Sequence, residues 1–333
     1  MNYRMIEKRT KHGGFRSLLK RALELGVTID FLSSGKDRLT RFEYEGDIAF
    51  LKGANAPVMR RMGGVTKNKE LNKVVLDGMG IRTPRGIVAD SLEKALSEIK
   101  KSRLKYPVIL KPTHGSRALG VTWDIRSEKD LAKAFSYFKE IAKEHAFKQN
   151  TFLVEEMFIG HEYRVLVLNG KVISCVQKIP ATVIGDGKSS IKKLIAEFNK
   201  TRLRGFKIRM DDVVEDTLKK NSLSFDSILP EGRVLKLRNN LNMSDGGRSV
   251  DVTKSMHSLF RDICTKATAV SGLTFGGVDL LAENIVSGKE AYVILEINPN
   301  PYYNMNEKPL VEGAGTDVSF LLLKQILPKL SKK

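Results

Sequence analysis

An apolar run through Val293, Ile294, Leu295 and Ile297 carries Glu296 and ends at Asn298, two oxygen-bearing side chains where a core strand would ordinarily hold none. Side chains alternate faces along a strand, so positions 296 and 298 point the same way. A carboxylate beside an amide oxygen at a strand end suits a hard divalent cation such as Mg²⁺. Asp279 offers a third oxygen donor from a second apolar stretch, Gly276-Gly277-Val278-Asp279-Leu280-Leu281. An isolated acid in a core strand is costly to ionise, and a shared cation removes that cost. Any one of the three alone reads as a hydrogen-bonding group at a strand end; the set reads as a metal site.

Two segments could meet a nucleotide. Lys111 ends the buried-type run from Val108 and leads into a loop containing His114, Gly115, Ser116 and Gly120. Small residues let backbone N–H groups approach a phosphate, and lysine supplies a point charge. By itself this signal is weak. In the second segment, Glu155 and Glu156 precede Met157 and Phe158, between which an adenine could lie; Glu162 could accept from ribose hydroxyls and Arg164 could face phosphate. Standing alone, that stretch reads as a solvated hairpin rim. The tract Gly185-Asp186-Gly187-Lys188-Ser189 looks like the tail of a P-loop, but the required first glycine would fall at Thr182, so a P-loop is rejected.

Other chemistries find little to stand on. The histidines, at 12, 114, 145, 161 and 257, have no zinc-site spacing, and there is no Gly-x-Ser-x-Gly elbow. Cys175 and Cys264 both read as core residues, so neither a disulfide framework nor a cysteine nucleophile is expected. No apolar run reaches the roughly 18–20 residues of a membrane span. The basic N-terminal stretch lacks an uninterrupted apolar region, so no secretory signal is expected and the cytoplasm is the simplest location.

The elements that must position these groups follow from periodicity. Phe15, Leu18, Leu19, Ala22 and Leu25 form a helical stripe over residues 14–26, followed by short strands at 27–32 and 47–51. Residues 68–79 read as a helix stopped by Gly80, 86–89 as a strand, and Ser91 as the N-cap of a further helix. Ser127 with Asp130 resembles a capping box. Strands are expected at 108–111, 152–155, 163–168 and 172–177, with Asn169-Gly170 as a type I′ turn. A charged insert over 180–250 contains a helix at 191–198 and a turn at Asp245-Gly246-Gly247. The chain closes with a helix at 256–271, strands at 277–282 and 292–298, and a helix at 316–328. This alternation points to an α+β fold with mixed sheets around a ligand.

The net charge of +19 on 333 residues favours anionic partners: nucleic acid, an anionic membrane surface or small anionic substrates. Lysine enrichment for solubility is the plainer explanation. No arginine block interleaves with aromatics, so a dedicated nucleic-acid binder is not expected.

Taken in order, Thr66-Lys67-Asn68-Lys69-Glu70-Leu71, Glu162-Tyr163-Arg164-Val165-Leu166-Val167, Val183-Ile184-Gly185-Asp186-Gly187-Lys188-Ser189, Gly246-Gly247-Arg248-Ser249-Val250-Asp251-Val252-Thr253 and Ile294-Leu295-Glu296-Ile297-Asn298 resemble the ATP-grasp superfamily. Within it they are similar to the ligase modules of cyanophycin synthetases and bifunctional glutathione synthetases, over about residues 65–327. The resemblance implies a short N-terminal region (1–63) and an ATP-grasp domain (64–328). The latter divides into a small lid subdomain near 84–158 and a large metal and substrate subdomain near 159–328. It implies that Lys69 and Lys111 contact ATP under a loop from Gly115 to Gly120. Glu155, Glu156, Met157 and Phe158 then form the adenine hinge, Glu162 takes the ribose, and Asp279, Glu296 and Asn298 hold Mg²⁺ (two ions, with Mn²⁺ as an alternative). Arg164, Lys178, Arg238 and Asn242 fall where such ligases bind phosphate and the reacting carboxylate. D-alanine–D-alanine ligases place an oxyanion-binding arginine at the position of Gly277; here Arg238 or Arg248 is the candidate.

The implied activity is ATP-dependent amide formation between a carboxylate and an amine through an acyl phosphate, releasing ADP and phosphate. Addition of glycine to a γ-glutamyl peptide and extension of an acidic polymer are alternatives. An inactive scaffold binding nucleic acid or a protein partner is the alternative from another class. Expected partners are small acid and amine substrates, with an acidic peptide and a homo-oligomer left open by analogy. After Asn298 the run Pro299-Asn300-Pro301-Tyr302-Tyr303-Asn304 departs from the family's usual continuation, so substrate identity does not carry over.

Overall fold

The computed structural model describes residues 10, 13–31, 39–52, 69–113, 119–145, 151–202, 205–289, 291–309 and 313–330. In chain order the elements are α1 (Gly13–Glu24), β1 (Thr28–Phe31), β2 (Leu39–Tyr44), β3 (Asp47–Lys52), α2 (Lys69–Gly78), β4 (Gly86–Ala89), α3 (Leu92–Ser102), β5 (Val108–Pro112), β6 (Thr122–Ile125), α4 (Glu128–Glu144), β7 (Phe152–Glu156), β8 (His161–Leu168) and β9 (Lys171–Ile179). Then come β10 (Thr182–Ile184), α5 (Ile191–Lys200), α6 (Asp212–Lys220), β11 (Val234–Lys236), a 3-10 turn (Met243–Asp245), β12 (Arg248–Asp251), α7 (Ser258–Val270), β13 (Phe275–Ala282), β14 (Tyr292–Asn298), α8 (Asn304–Glu307) and α9 (Val318–Lys324).

The chain forms two compact units: Met1–Val176 with Asp251–Lys308 and Ala314–Lys333, and Gln177–Val250 with Pro309–Gly313. The first contains a four-stranded antiparallel sheet, β4-β7-β5-β6. Its apolar face is covered by α3 and α4, whose Ala95, Ile99, Leu131, Ala134 and Phe138 meet Val108, Leu110, Phe152 and Val154. Both helices start as their sequences dictate. Ser91 Oγ accepts from Lys94 N–H at 3.2 Å and Ser127 Oγ accepts from Asp130 N–H at 3.1 Å, so each hydroxyl satisfies an otherwise orphaned amide.

A second sheet has the strand order β12-β9-β8-β13-β14, and β9 and β12 carry the chain across the boundary between the units. The β8–β9 connection is the expected tight hairpin, with Asn169 and Gly170 both at positive φ, 49° and 70°. One core of the first unit joins α1 and β1–β3 to Phe275, Val318, Leu322 and Leu323, and another packs Leu76 and the inner residues of α7 against β8 and β13. Cys175 and Cys264 are free and fully buried, and burial raises both thiol pKa values. The second unit has its own core, built by Ile191, Ile195, Val214, Leu218 and Leu229.

Several elements go beyond the periodicity reading. Charge hides α6: in Asp-Val-Val-Glu-Asp-Thr-Leu-Lys-Lys only Val214 and Leu218 are buried, a stripe one residue wide opened by Asp211 as N-cap. The β10–β11 ribbon has three residues per strand, too few for a period to stand out, and its apolar Ile184 and Val234 are exposed. The closing helix is shorter than the expected 316–328, because Asp317 caps it and it ends at Lys324. No described helix is long and apolar enough to cross a membrane.

Candidate active site

The centre of the first unit is set by strand register. Asp279 on β13 lies opposite Glu296 on β14 and opposite Arg164 on β8, while Asn298 lies opposite Gly277. Residues directly opposite share a face. The three oxygen donors accordingly meet: Asn298 Nδ2 donates to Asp279 Oδ2 at 3.0 Å and to Glu296 Oε1 at 3.3 Å. Both carboxylates thus aim an oxygen at one point occupied by an amide group. A half-turn of that amide presents Oδ1 instead, completing an all-oxygen set of the kind that holds Mg²⁺. Among the described residues no three His, Cys, Asp or Glu side chains cluster as a metal site.

Arg164 is drawn into the same group. Its Nε donates to Asp279 Oδ1 at 2.8 Å and its Nη2 to Oδ2 at 3.0 Å, with both side chains nearly buried. Burial pulls the guanidinium pKa down, but the Asp279 carboxylate at contact, aided by Glu296 and Glu162, holds it above its ordinary value. Gly277 permits this packing: a Cβ there would sit 2.5 Å from Pro301 Cβ and 3.2 Å from Arg164 Cδ. The position therefore has no room for a long side chain.

A second charged group sits in the four-stranded sheet. Glu155 is 2% exposed, and its two oxygens are taken by separate lysines: Lys73 Nζ donates to Oε1 at 2.7 Å and Lys111 Nζ pairs with Oε2. Glu155 lies opposite Ile109, two residues from Lys111 on the same face of β5. Burial pushes the Glu155 carboxyl upward, yet the charges of Lys111 and Lys73 outweigh it and hold the pKa below the ordinary value. Lys73 Nζ also donates to the Pro84 carbonyl, so this cation is locked.

The neighbouring hinge residues are more open. Glu156 pairs with exposed Arg85, Met157 N–H donates to the Pro107 carbonyl at 3.1 Å, Phe158 is half-buried, and Ile159 is 75% exposed. Glu162 is half-buried at the start of β8, and Gly120 takes φ 70°. The Lys69 side chain and the whole of His114, Gly115 and Ser116 lie outside the described residues.

The second unit holds the remaining expected residues. Arg238 is 4% exposed and donates through Nη2 to Asp211 Oδ1 at 2.6 Å. Burial raises the Asp211 carboxyl, but the hydrogen bond and charge of Arg238 prevail and lower it. Asn242 precedes the 3-10 turn and donates through Nδ2 to Asp245 Oδ2 at 3.4 Å. Arg248 Nη2 donates to Thr182 Oγ1 at 2.5 Å, and Lys178 is half-buried on β9.

Lys73 escaped the sequence reading, as did Asn72, which is 2% exposed and whose amide atoms have no hydrogen-bond partner among the described residues. A signal was there: Asn72 lies one helical turn before fully buried Leu76, so a polar residue occupies the buried stripe of α2.

Residues 104–178 match the ATP-grasp domain family. A crystal structure of a bifunctional glutathione synthetase from Pasteurella multocida superposes with a TM-score of 0.69 at 26% identity, covering 95% of this chain and 43% of that one. The fold is ATP-grasp. The ATP-grasp match runs from the residues before β5 into β9, and so contains Lys111, Glu155, Glu162 and Arg164. The cyanophycin synthetase of Geminocystis herdmanii is 32% identical over 273 residues, 78% of this chain and 30% of that protein. The glutathione biosynthesis bifunctional protein of Streptococcus thermophilus is 29% identical over 327 residues, 94% of this chain and 42% of that protein. The chain therefore spans less than half the length of these relatives, and the two groups are those its motifs resemble.

Proposed function

We propose that the chain is an ATP- and Mg²⁺-dependent carbon–nitrogen ligase that joins a carboxylate to an amine, with amino acids or small peptides as substrates. The observation that carries this reading is the meeting of Asp279, Glu296 and Asn298, with one amide nitrogen 3.0 Å from the first carboxylate and 3.3 Å from the second. Such a donor set in an ATP-grasp fold fits Mg²⁺, which when bound would neutralise triphosphate charge. Two ions and a tolerance for Mn²⁺ belong to the same proposal.

The chain's own residues then take roles that their chemistry allows. Lys111, with Lys69, supplies positive charge to the nucleotide phosphates. Glu155 to Phe158 line the adenine, and Glu162 accepts from the ribose. Arg164 grips Asp279 at two points and so aims its free edge at the cation site. A substrate carboxylate attacks the γ-phosphorus of ATP, giving an acyl phosphate and ADP. The amine then attacks the acyl carbon, phosphate leaves, and the amine's proton passes to solvent. Lys178, Arg238, Asn242 and Arg248 are the candidates for steadying the anions formed on that path. Gly277 has no room for an arginine, which supports a donor from elsewhere in the chain.

This function is assigned to residues 64–328, with a lid subdomain near 84–158, a larger subdomain near 159–328 and a short N-terminal region at 1–63. The four-stranded sheet, with strands from Gly86 to Glu156, supports the first of these boundaries. Two free, buried thiols suit a reducing compartment such as the cytoplasm. A glutathione-synthetase-like reaction, adding glycine to a γ-glutamyl peptide, is the specific second reading. It is favoured by the near-complete coverage of this chain by the Pasteurella multocida enzyme. The test is ADP release with paired pools of acids and amines. A ligase requires one member of each pool together, and release with neither or with one alone removes the reading.

A further inference from the structure

The second unit contains two guanidinium groups that its acids leave alone. Arg202 and Arg248 both lie against the ring of Phe198, with their Cζ atoms 5.0 and 6.0 Å from its centroid. Arg202 is 8% exposed, and among the described residues its hydrogen bonds go to neutral carbonyls: Nε to Phe206 O at 3.1 Å and Nη2 to Gly247 O. Arg248 is half-buried, and among the described residues it gives one hydrogen bond, to the Thr182 hydroxyl, while its buried Nε has no partner.

Neighbouring arginines of the same unit behave differently. Arg238 is clamped by Asp211, and Arg209 pairs with Asp245 at 2.5 Å. Among the described residues neither Arg202 nor Arg248 has a carboxylate partner. Burying cationic groups without a counter-charge is unfavourable, and here two of them share one aromatic ring. Burial lowers both guanidinium pKa values, and the charge of Arg248 lowers that of Arg202 further. An anion between or beside them would remove the mutual repulsion, take the orphaned Nε–H of Arg248, and leave the stacking on Phe198 in place.

We propose that Arg202 and Arg248, held on Phe198, form a receptor for a carboxylate of the acid substrate, separate from the Arg238–Asp211 pair. The planar fork of each guanidinium matches a carboxylate, and the overall charge of +19 draws acidic substrates toward it. The proposal rests on the ligase reading for the word substrate, but the receptor itself requires no turnover.

The test is calorimetric titration of the full chain, without nucleotide or metal, with tri-L-glutamate, with capped neutral tri-alanine and with inorganic phosphate. Tri-glutamate is expected to bind saturably and more weakly as salt rises, and neutral tri-alanine not to bind. Arg248→Gln should weaken tri-glutamate binding by about tenfold or more, since a charge-assisted bond and its cation are both lost. Arg248→Lys keeps the charge without the planar fork and should fall between the two. Because Arg248 is half-buried with one hydrogen bond, its replacement is the primary variant, and thermal unfolding confirms that it folds. Equal affinity in wild type and Arg248→Gln overturns the receptor. So does an absence of saturable tri-glutamate binding by the wild type, or saturable binding of phosphate alone. ADP release is scored separately: a chain that binds tri-glutamate through Arg248 but releases no ADP keeps the receptor and loses the ligase reading.

Discussion

Arg164 and Asp279 face each other across β8 and β13 in a two-point ion pair, Nε to Oδ1 at 2.8 Å and Nη2 to Oδ2 at 3.0 Å. The sequence reading aims Arg164 at a phosphate and Asp279 at a metal; in the structure they meet each other first. A carboxylate in a nearly sealed interior needs such a partner, and the partner also fixes which way its free edge points.

That pairing makes Arg164→Met a strongly destabilising change. Removing one side of a buried ion pair leaves the other charge uncompensated, which costs about 3–5 kcal/mol. Chemical unfolding of the variant should show a loss of this size. A double variant, Arg164→Met with Asp279→Asn, should recover part of it, because the second change removes the stranded charge. Failure of the double variant to recover any stability would mean that the two residues are not coupled.

Glu155 carries the clearest pH dependence. Its folded pKa lies below its ordinary value of 4.5, owing to Lys111 and Lys73 acting against burial. A depressed carboxyl pKa contributes stability that is present above the unfolded value and lost as pH falls through the folded one. Lys73→Met removes one of the two opposing cations, so the folded pKa rises and the loss begins at higher pH. Unfolding midpoints measured from neutral pH down past 4.5 should therefore fall off earlier in Lys73→Met than in wild type. Identical acid profiles would show that Lys111 alone sets the ionisation of Glu155.

How much of this was legible in sequence depends on whether the signal was local. Glu296 and Asn298 could be placed on one face because strand periodicity is fixed, and Asp279 stood out as an acid in an apolar run. The caps Ser91 and Ser127 and the Asn169-Gly170 hairpin were readable for the same reason: each is settled within four residues. The partner of Asp279 was not, since Arg164 is 115 positions away and only the β8–β13 register brings it opposite. Glu155 likewise looked like a flank of the hinge, and nothing local linked it to Lys73, 82 positions earlier. Charged residues that become buried are the ones whose roles depend on such long-range pairings.

Gly277→Ala tests the close approach beside the site. The added Cβ would lie 2.5 Å from Pro301 Cβ, a distance at which something must shift. Overpacking of this kind costs about 1–3 kcal/mol, and the displaced atoms include Arg164 Cδ at 3.2 Å. Unfolding measurements should show that loss, together with weaker dependence of stability on Arg164. A variant as stable as wild type would mean that the Pro301 turn relaxes freely and does not constrain the site.

Glu296→Gln separates the cation site from the scaffold. Glu296 is half-buried at the strand end and shares the Asn298 amide with Asp279, so an amide replacement preserves shape and hydrogen-bonding capacity while removing one negative charge. Folding should change by less than about 1 kcal/mol, as one neutral hydrogen bond replaces a charged one. Binding of a divalent cation should suffer far more, because a hard cation depends on the carboxylate charge. Thermal unfolding with and without Mg²⁺ reads this directly: wild type is expected to gain stability from Mg²⁺ with ATP, and Glu296→Gln to gain little. ADP release by the variant should fall below detection under conditions where the wild type turns over. If the variant keeps the full Mg²⁺-dependent shift, Asp279 and Asn298 do not need Glu296, and the three-donor assignment fails whatever the activity shows.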